Sequence, residues 1–598
     1  MINQLNDQGL FKTQSFINGA WVDANDGSTI DVLNPVNGDV IARVAKLGAQ
    51  ETRAAIAAAS EAMKSWRELP AKARSNILRD WFNIIMANQE DLARIMTLEQ
   101  GKVIAESRGE VAYGASYIEW FAEQAKRVDG DVIPSPSPDK RIVCIKQPVG
   151  VCAAITPWNF PNAMITRKAA PALAAGCSIV IKPASETPLS ALALAELAHR
   201  AGIPDGVLNV VVGSSADIGN ELTSNPVVRK LSFTGSTEIG KLLESQCIPT
   251  LKKTSMELGG NAPFIVFNDA DIDSAVQGAL VSKYRNSGQT CVCSNRLLVQ
   301  ASVAEEFTQK LIAETSKLTL GDGLEDGVDL GPLVNSRAVH DVDALVQDTV
   351  NAGAQVALGG SPSERGGNFY APTILTGVTP DMAVFRNEIF GPVAPITVFD
   401  TEAEAIALAN DTEFGLASYF YTRDIGRVWR VSEALEYGIV GVNEGIISNE
   451  MAPFGGVKES GFGREGGKEG LYEYLTPTGL TAMAAPKVKQ QTSTMPELAN
   501  SNAIDQTLKF YVAGRQVRPD SGHSQACHNH DGSVSALVGV GARKDVRNAV
   551  SAALKASGWT QQTAHGRAQV IYFLAENLSQ RETEWLARLQ TVCGYSQA

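Results

Sequence analysis

Cys291 is the residue whose surroundings point most directly to chemistry. It lies in Tyr284-Arg285-Asn286-Ser287-Gly288-Gln289-Thr290-Cys291-Val292-Cys293. The small, polar run before it lets backbone and substrate approach the sulfur, whereas a structural cysteine usually sits inside an apolar run. A thiol attacks a carbonyl carbon only as thiolate, and an ordinary pKa of about 8.5 leaves a few per cent ionised at neutrality. A nucleophilic Cys291 therefore needs a base or a positive field close by; a structural thiol is the competing reading. Glu257, in Met256-Glu257-Leu258-Gly259-Gly260-Asn261, is a carboxylate between apolar residues. Burial raises such a group toward the working range of a general base, although a salt-bridged helix-end glutamate is the plainer alternative. Arg285, six residues before the thiol, and Arg167, in Ala163-Met164-Ile165-Thr166-Arg167-Lys168, can raise thiolate content or cap helices. Their guanidinium forks would also suit a carboxylate on the far end of a substrate.

These residues need a frame, and strand–helix alternation supplies one. Val149–Ile155, Cys177–Pro183, Val207–Gly213 and Lys230–Gly235 read as buried strands separated by helices. The pattern predicts βαβ units and a parallel sheet covered on both faces, with ligands beyond the carboxyl ends of the strands. Each polar residue of interest falls at such an end. Lys182-Pro183-Ala184-Ser185 closes one strand; the lysine is either solvated or placed on a ribose or phosphate. A carboxylate at position 185 would repel a 2′-phosphate, whereas serine beside lysine accepts one, so NADP is expected over NAD. Phe233-Thr234-Gly235-Ser236-Thr237-Glu238-Ile239-Gly240 reads as strand, turn and helix start. That suits a pyrophosphate but is not a G-x-G-x-x-G fingerprint, and an ordinary βα turn is an equal reading. Residues 258–450 repeat the alternation as a second α/β domain carrying Cys291. Residues 14–46 read as short strands and 49–124 as helices, with 128–147 an extended excursion.

Composition narrows the function classes. The chain has 598 residues, enough for several domains. Lys and Arg number 52 against 65 Asp and Glu, a net −13, which argues against binding nucleic acid through phosphate neutralisation. Eight scattered cysteines fit reduced, cytoplasmic thiols. No secretory signal or bilayer-length apolar run is expected.

A Lys/Gln/Ser/Thr/Pro stretch at 486–506 reads as a linker. Beyond it, Tyr511–Val517 echoes Phe16–Val22, the helical run ending at Trp559 echoes that ending at Trp66, and Arg567 follows Trp559 as Arg74 follows Trp66. Leu586-Ala587-Arg588 likewise echoes Leu92-Ala93-Arg94. Residues 507–598 thus read as a partial, non-catalytic repeat of the opening segment. His523, Cys527, His528 and His530 are dense, but their spacing fits no standard zinc pattern, so a solvated loop is expected and no metal. Cys293 is read as a passive second thiol, with a silencing disulfide to Cys291 as the alternative.

Seven motifs occur in order: Pro157-Trp158-Asn159-Phe160-Pro161, Lys182-Pro183, Phe233-Thr234-Gly235-Ser236, Glu257-Leu258-Gly259-Gly260, Gly288-Gln289-Thr290-Cys291, Asn387-Glu388-Ile389-Phe390-Gly391-Pro392 and Pro453-Phe454-Gly455-Gly456-Val457-Lys458 followed by Ser460-Gly461. Together they resemble the aldehyde dehydrogenase superfamily over about residues 14–485. The resemblance implies Cys291 as nucleophile, Glu257 as base, and Asn159 with the Cys291 N–H as oxyanion hole. It implies that Thr156, Pro157, Trp158, Lys182, Pro183, Ala184, Ser185, Gly235, Ser236, Leu258, Glu388 and Phe390 hold the cofactor, Glu388 and Phe390 at its nicotinamide ribose and ring. The implied fold is α/β: a Rossmann-type parallel-sheet cofactor domain (1–127 and 147–257), a catalytic domain (258–455) and a small β arm for oligomerisation (128–146 and 472–485). An extra α+β tail domain follows. Arg167, Arg285 and Ser448 match the branch that oxidises succinate semialdehyde, where they bind the substrate carboxylate, and Ser185 resembles its NADP-using bacterial members. The implied reaction is oxidation of succinate semialdehyde, or of the one-methylene-longer glutarate semialdehyde, by a homo-oligomer (dimer or tetramer). An inactive assembly subunit is the alternative of another class.

Overall fold

Runs of consecutive apolar residues, rather than alternating ones, make the central strands of the sheet that carries the site, as in Val151–Ile155. The computed structural model describes residues 4–137, 140–483 and 508–594, and the chain divides into two compact units, Met1–Pro486 and Lys487–Ala598. The expected linker, 486–506, lies outside the described residues.

In the first unit, β1 (Val151–Ile155), β2 (Ile179–Lys182), β3 (Leu208–Val210), β4 (Val228–Thr234) and β5 (Lys253–Glu257) form a parallel core in the order β5-β4-β1-β2-β3. Gly461–Phe462 adds an antiparallel edge beside β5, and the hairpin Ser15–Ile17/Ala20–Val22 closes the other side. Successive residues feed two cores. Cys152, Ala154, Ile179 and Ile181 pack on one face, and Val151, Ala153, Val180 and Leu231 on the other. Burial on both faces is why these strands lack polar alternation. The strand order reverses between β1 and β4, so the loops after them part and leave a crevice. Register places Ile155, Lys182, Thr234 and Glu257 at one end of the sheet.

A second sheet contains β6 (Ala262–Val266), β7 (Ser294–Gln300), β8 (Thr373–Thr376), β9 (Val393–Phe399), β10 (Ala417–Tyr421) and β11 (Ile439–Val442), parallel in the order β8-β9-β7-β6-β10-β11, with Gln355–Leu358 antiparallel at the edge. The excursion forms a third, antiparallel sheet of Asp131–Ile133, Lys140–Pro148 and Leu475–Met483. It leaves Val132 and Leu480 exposed.

Four helices of this unit bear on the site: α1 (Ile104–Gln124), α2 (Ala163–Ala175), α3 (Thr237–Cys247) and α4 (Ile272–Tyr284). Helix α2 is buried on every side, and its alanines let neighbours pack at short range. The second unit contains two hairpins, Phe510–Val512/Arg515–Val517 and Ser524–His528/Val534–Gly539, then helices Arg543–Lys555, Ala564–Gln580 and Glu582–Cys593.

Candidate active site

The loop bearing Cys291 begins where α4 ends. Asn286 and Ser287 take left-handed φ of 51° and 54°, and Gly288 has φ 76°. A Cβ on Gly288 would lie 2.1 Å from the Gly391 carbonyl oxygen, so only glycine fits there. Gln289 staples the turn: its Nε2 donates to the Asn286 carbonyl (3.1 Å), and its Oε1 accepts the Val334 N–H (2.9 Å). Cys291 is half-buried and lines a cavity of about 240 Å³. Burial and then the Glu388 carboxylate push its thiol up to about 12; Arg167 and Arg285 pull it down without prevailing. The positive field expected from sequence is therefore present but outweighed.

Glu257 ends β5 and lines the same cavity. It is buried, and neither carboxylate oxygen has a hydrogen-bond partner. Burial, followed by repulsion from Glu465, holds its carboxyl well above the usual range, against the pull of Arg167, Lys168 and Arg464. Such a group releases its proton reluctantly and takes one readily, which is what a base for water requires.

Glu465 accounts for Arg167. The Arg167 guanidinium is fully buried, 2.7 Å from the Glu465 carboxylate, and stacks over the rings of Phe454 (4.0 Å) and Tyr117 (5.5 Å). Lys168 also pairs with Glu465 and donates to the Ser232 hydroxyl (3.0 Å). Arg167 lines neither cavity described here. The expected substrate clamp is thus occupied, at this position, by an internal carboxylate.

Asn159 follows β1 into the crevice. Its Nδ2 donates one hydrogen to the Gln289 carbonyl (2.9 Å), leaving the second available, while Oδ1 is buried without a partner. Its own carbonyl accepts from Lys102 Nζ (2.7 Å) and Asn286 Nδ2 (3.0 Å). Lys102 is in turn fixed by Glu110 at 2.5 Å. Asn159, Cys291 and Glu257 therefore border one cavity, and the amide is held by the nucleophile loop itself.

Pro157, Trp158, Gly235, Ser236, Leu258, Glu388 and Phe390 line that cavity too. Trp158 and Phe390 meet edge to face at 5.6 Å, and Phe390 is held at φ 52°, a strained setting for a bulky side chain. Glu388 Oε1 accepts the Gly260 N–H (3.0 Å), and burial raises its carboxyl to about 7. Thr156, Lys182, Pro183, Ala184 and Ser185 are not in this lining; they sit at the same sheet end, with Lys182 one strand across from Ile155. Lys182 is buried with Nζ donating to the Pro183 carbonyl (3.0 Å), and Ser185 is half-buried. The buried hydroxyls of Thr156 and Thr234 have no partner, and Ser236 caps α3 at the cavity wall. Unpaired buried hydroxyls beside a helix N-terminus are what a dinucleotide's phosphates and ribose would satisfy, so the residues fit such a group.

A second cavity, about 260 Å³, brings Arg285 and Ser448 together with Tyr113, Phe160, Ile446 and Glu106. Arg285 lies over the Phe160 ring (5.5 Å), and among the described residues no ion partner of Arg285 is seen. Cys293 is buried with its thiol donating to the Lys283 carbonyl (3.4 Å), and both it and Cys291 are free thiols. Among the described residues no group of three or more His, Cys, Asp or Glu can hold a metal.

Sequence reasoning did not single out Thr234, Gly259 and Met164 in the first cavity, nor Glu465, Lys102 and Glu106 around it. Thr234 and Gly259 adjoin flagged residues, so strand-end position signals them. Glu465 lies in a Gly-rich loop, far from the acids and cations it meets, and carries no local signal.

Comparison with known proteins completes the description. The aldehyde dehydrogenase family matches residues 21–478. Succinate-semialdehyde dehydrogenase [NADP(+)] GabD of Escherichia coli (strain K12) is 63% identical over 472 residues, 79% of this chain and 98% of that protein. A glutarate-semialdehyde dehydrogenase of Pseudomonas aeruginosa is 61% identical over the same length, with the same coverage. A crystal structure of an E. coli NADP-dependent enzyme superposes with TM-score 0.80 at 62% identity, covering 80% of this chain and all of that one.

Proposed function

The chain belongs to the aldehyde dehydrogenase family, and from that premise we propose that it oxidises succinate semialdehyde to succinate with NADP. Glutarate semialdehyde is the alternative substrate and NAD a possible second cofactor. The observation that carries the reading is the shared cavity of Cys291, Asn159 and Glu257 beside Trp158, Glu388 and Phe390. The substrate choice is supported by Arg285 and Ser448 in the adjoining cavity, and by the relatives of that activity. NADP is supported by Ser185, which offers no carboxylate to a 2′-phosphate.

The chemistry follows from the groups present. The Cys291 thiol loses its proton to solvent, the thiolate adds to the aldehyde carbon, and the resulting oxyanion accepts hydrogen bonds from the free Asn159 Nδ2 hydrogen and the Cys291 N–H. When bound, the nicotinamide supplies the acceptor for the hydride that leaves this carbon. What remains on Cys291 is a thioester. Glu257 takes a proton from water, the hydroxide adds to the thioester carbon, and the carboxylate product leaves as the sulfur is released. Arg285 fixes the far end of the substrate, and Arg167 acts from behind through Glu465 and Glu257. Arg285→Ala tests the clamp. It should raise KM for the semialdehyde acid by about 10- to 100-fold, since losing a charged hydrogen bond costs about 1.5–3 kcal/mol, and change a neutral aldehyde little. Equal effects on both would remove the clamp.

We read residues 1–127 and 147–257 as the cofactor domain, 258–455 as the catalytic domain, and 128–146 with 472–485 as the oligomerisation arm of a cytoplasmic homo-oligomer. The exposed apolar residues of the arm support that role. Residues 507–598 read as a non-catalytic partial repeat of the opening segment. Several parallels support this. The turn Asn18-Gly19 (φ 52°, 77°) has its counterpart in Ala513-Gly514 (53°, 76°). Arg74 donates to the Leu69 carbonyl five residues before it, as Arg567 does to that of Gln562. Helices Ala71–Ala87 and Gln89–Gln100 match Ala564–Gln580 and Glu582–Cys593 in length, and Gly101 and Gly594 end them in left-handed conformations.

A further inference from the structure

The cavity holding Arg285 and Ser448 contains two carboxylates, an unexpected lining for a site meant to take an anion. One of them is satisfied internally: Glu110 accepts from Lys102 Nζ (2.5 Å) and from the backbone N–H groups of Asn162 (2.9 Å) and Ala163 (3.1 Å). The other, Glu106, accepts, among the described residues, only the Asn286 N–H (2.9 Å). That residue holds a left-handed φ of 51° immediately after Arg285, so the bond fixes the Glu106 carboxyl on the turn that carries Arg285, in the same cavity wall. Lys102 is consumed by Glu110 and by the Asn159 carbonyl. The remaining polar side chains of the cavity, Tyr113, Asn286 and Ser448, are neutral. Arg285 is thus the cation of this lining that is not already paired, and Glu106 is the carboxyl on the same wall that no cation pairs among the described residues.

Resting on the reading of Arg285 as the anion anchor, we propose that Glu106 is a specificity-determining residue that limits the substrate's far end to a single negative charge. Aldehydes ending in one carboxylate or sulfonate are accepted; those ending in a doubly ionised phosphonate are rejected, because the second charge meets Glu106 with no cation left to offset it. Burial already raises the Glu106 carboxyl above its ordinary range despite Lys102 and Arg285 nearby. This is discrimination by a repulsive element rather than by an added contact.

The test compares kcat/KM of the full-length enzyme, loaded with NADP, for three aldehydes of equal carbon number. They end in carboxylate, sulfonate and phosphonate, at a pH where the phosphonate is doubly ionised. Sulfonate shares the phosphonate's tetrahedral shape but not its charge, so it separates the two properties. In the wild type, sulfonate should fall within about 10-fold of carboxylate, and phosphonate about 100-fold or more below sulfonate. Glu106→Gln keeps an oxygen for the Asn286 N–H. It should raise the ratio of the phosphonate kcat/KM to the carboxylate kcat/KM about 10-fold or more. Equal wild-type rates with sulfonate and phosphonate would overturn the proposal without any variant, and so would a Glu106→Gln enzyme that loses all three activities by one factor. Arg285→Ala is run alongside. If it leaves the charged and neutral aldehydes equally affected, the anchor reading fails; if only the Glu106 outcomes fail, the anchor stands.

Discussion

At the scale of single residues, the account rests on three side chains whose protonation is set by burial. Cys291 and Glu257 are both held above their ordinary pKa values, so thiolate and carboxylate fractions both grow as pH rises. Steady-state kcat should therefore increase through the alkaline range. A Glu257→Gln enzyme should lose turnover by about 100-fold or more, within the roughly 100- to 10,000-fold that general base catalysis contributes, and keep its first acylation. Glu388, raised to about 7, carries a stability signature. The folded state keeps its proton where the unfolded chain has lost it, so this group's contribution to stability is present below about 4.5 and is lost as pH rises through 7. Glu388→Gln should flatten that part of the melting temperature–pH curve of the cofactor-free protein. An unchanged curve would show that Glu388 does not titrate there. Much of this scale was legible in the sequence, because Cys291, Glu257 and Asn159 each stand in a motif at a strand or helix end. The Arg167 pairing was not, since Glu465 is 298 residues away in the chain and reaches it only through folding.

At the scale of elements, the site depends on loops that leave two sheets at their carboxyl ends. The runs of buried apolar residues marked β1, β2, β3 and β4 in advance, whereas β5, with its sequence Lys-Thr-Ser-Met-Glu, carried no such run; the reversal of strand order put the ends of β1 and β4 around one crevice. What escaped sequence reading was which strand-end residues reach the first cavity. Lys182 to Ser185 belong one strand further from the switch point than Thr156 to Asn159, and strand order is not written in any local pattern. The nucleophile loop gives the sharpest test at this scale. Gly288→Ala places a methyl group against the Gly391 carbonyl in a backbone conformation that alanine avoids. It should cost about 2 kcal/mol or more of stability and most of the activity. Thermal melts together with Cys291 alkylation rates check both effects, and a Gly288→Ala enzyme with unchanged melting and labelling would contradict the packing described.

At the scale of the whole molecule, the chain is a catalytic unit that the family spans to residue 478, followed by a second compact unit. The opening segment buries Trp66 and Trp81 completely, and Trp66 donates to the Leu173 carbonyl of α2. The tail carries Trp559 42% exposed and Leu574 61% exposed, and holds no counterpart of Cys291, Glu257 or Asn159. Truncation after residue 486 should therefore leave kcat and KM within about twofold, as expected for removing residues that supply none of the groups lining the Cys291 cavity. Activity and mass of the shortened protein check this, and loss of turnover in a folded truncation product would assign the tail a part in catalysis. The most direct test of the central claim is a single-turnover experiment with Glu257→Gln, NADP and succinate semialdehyde, followed by intact-protein and peptide mass spectrometry. The account predicts one NADPH per subunit and a succinyl group retained on Cys291; a burst that persists in Cys291→Ala, or an acyl group found on any other residue, would contradict it.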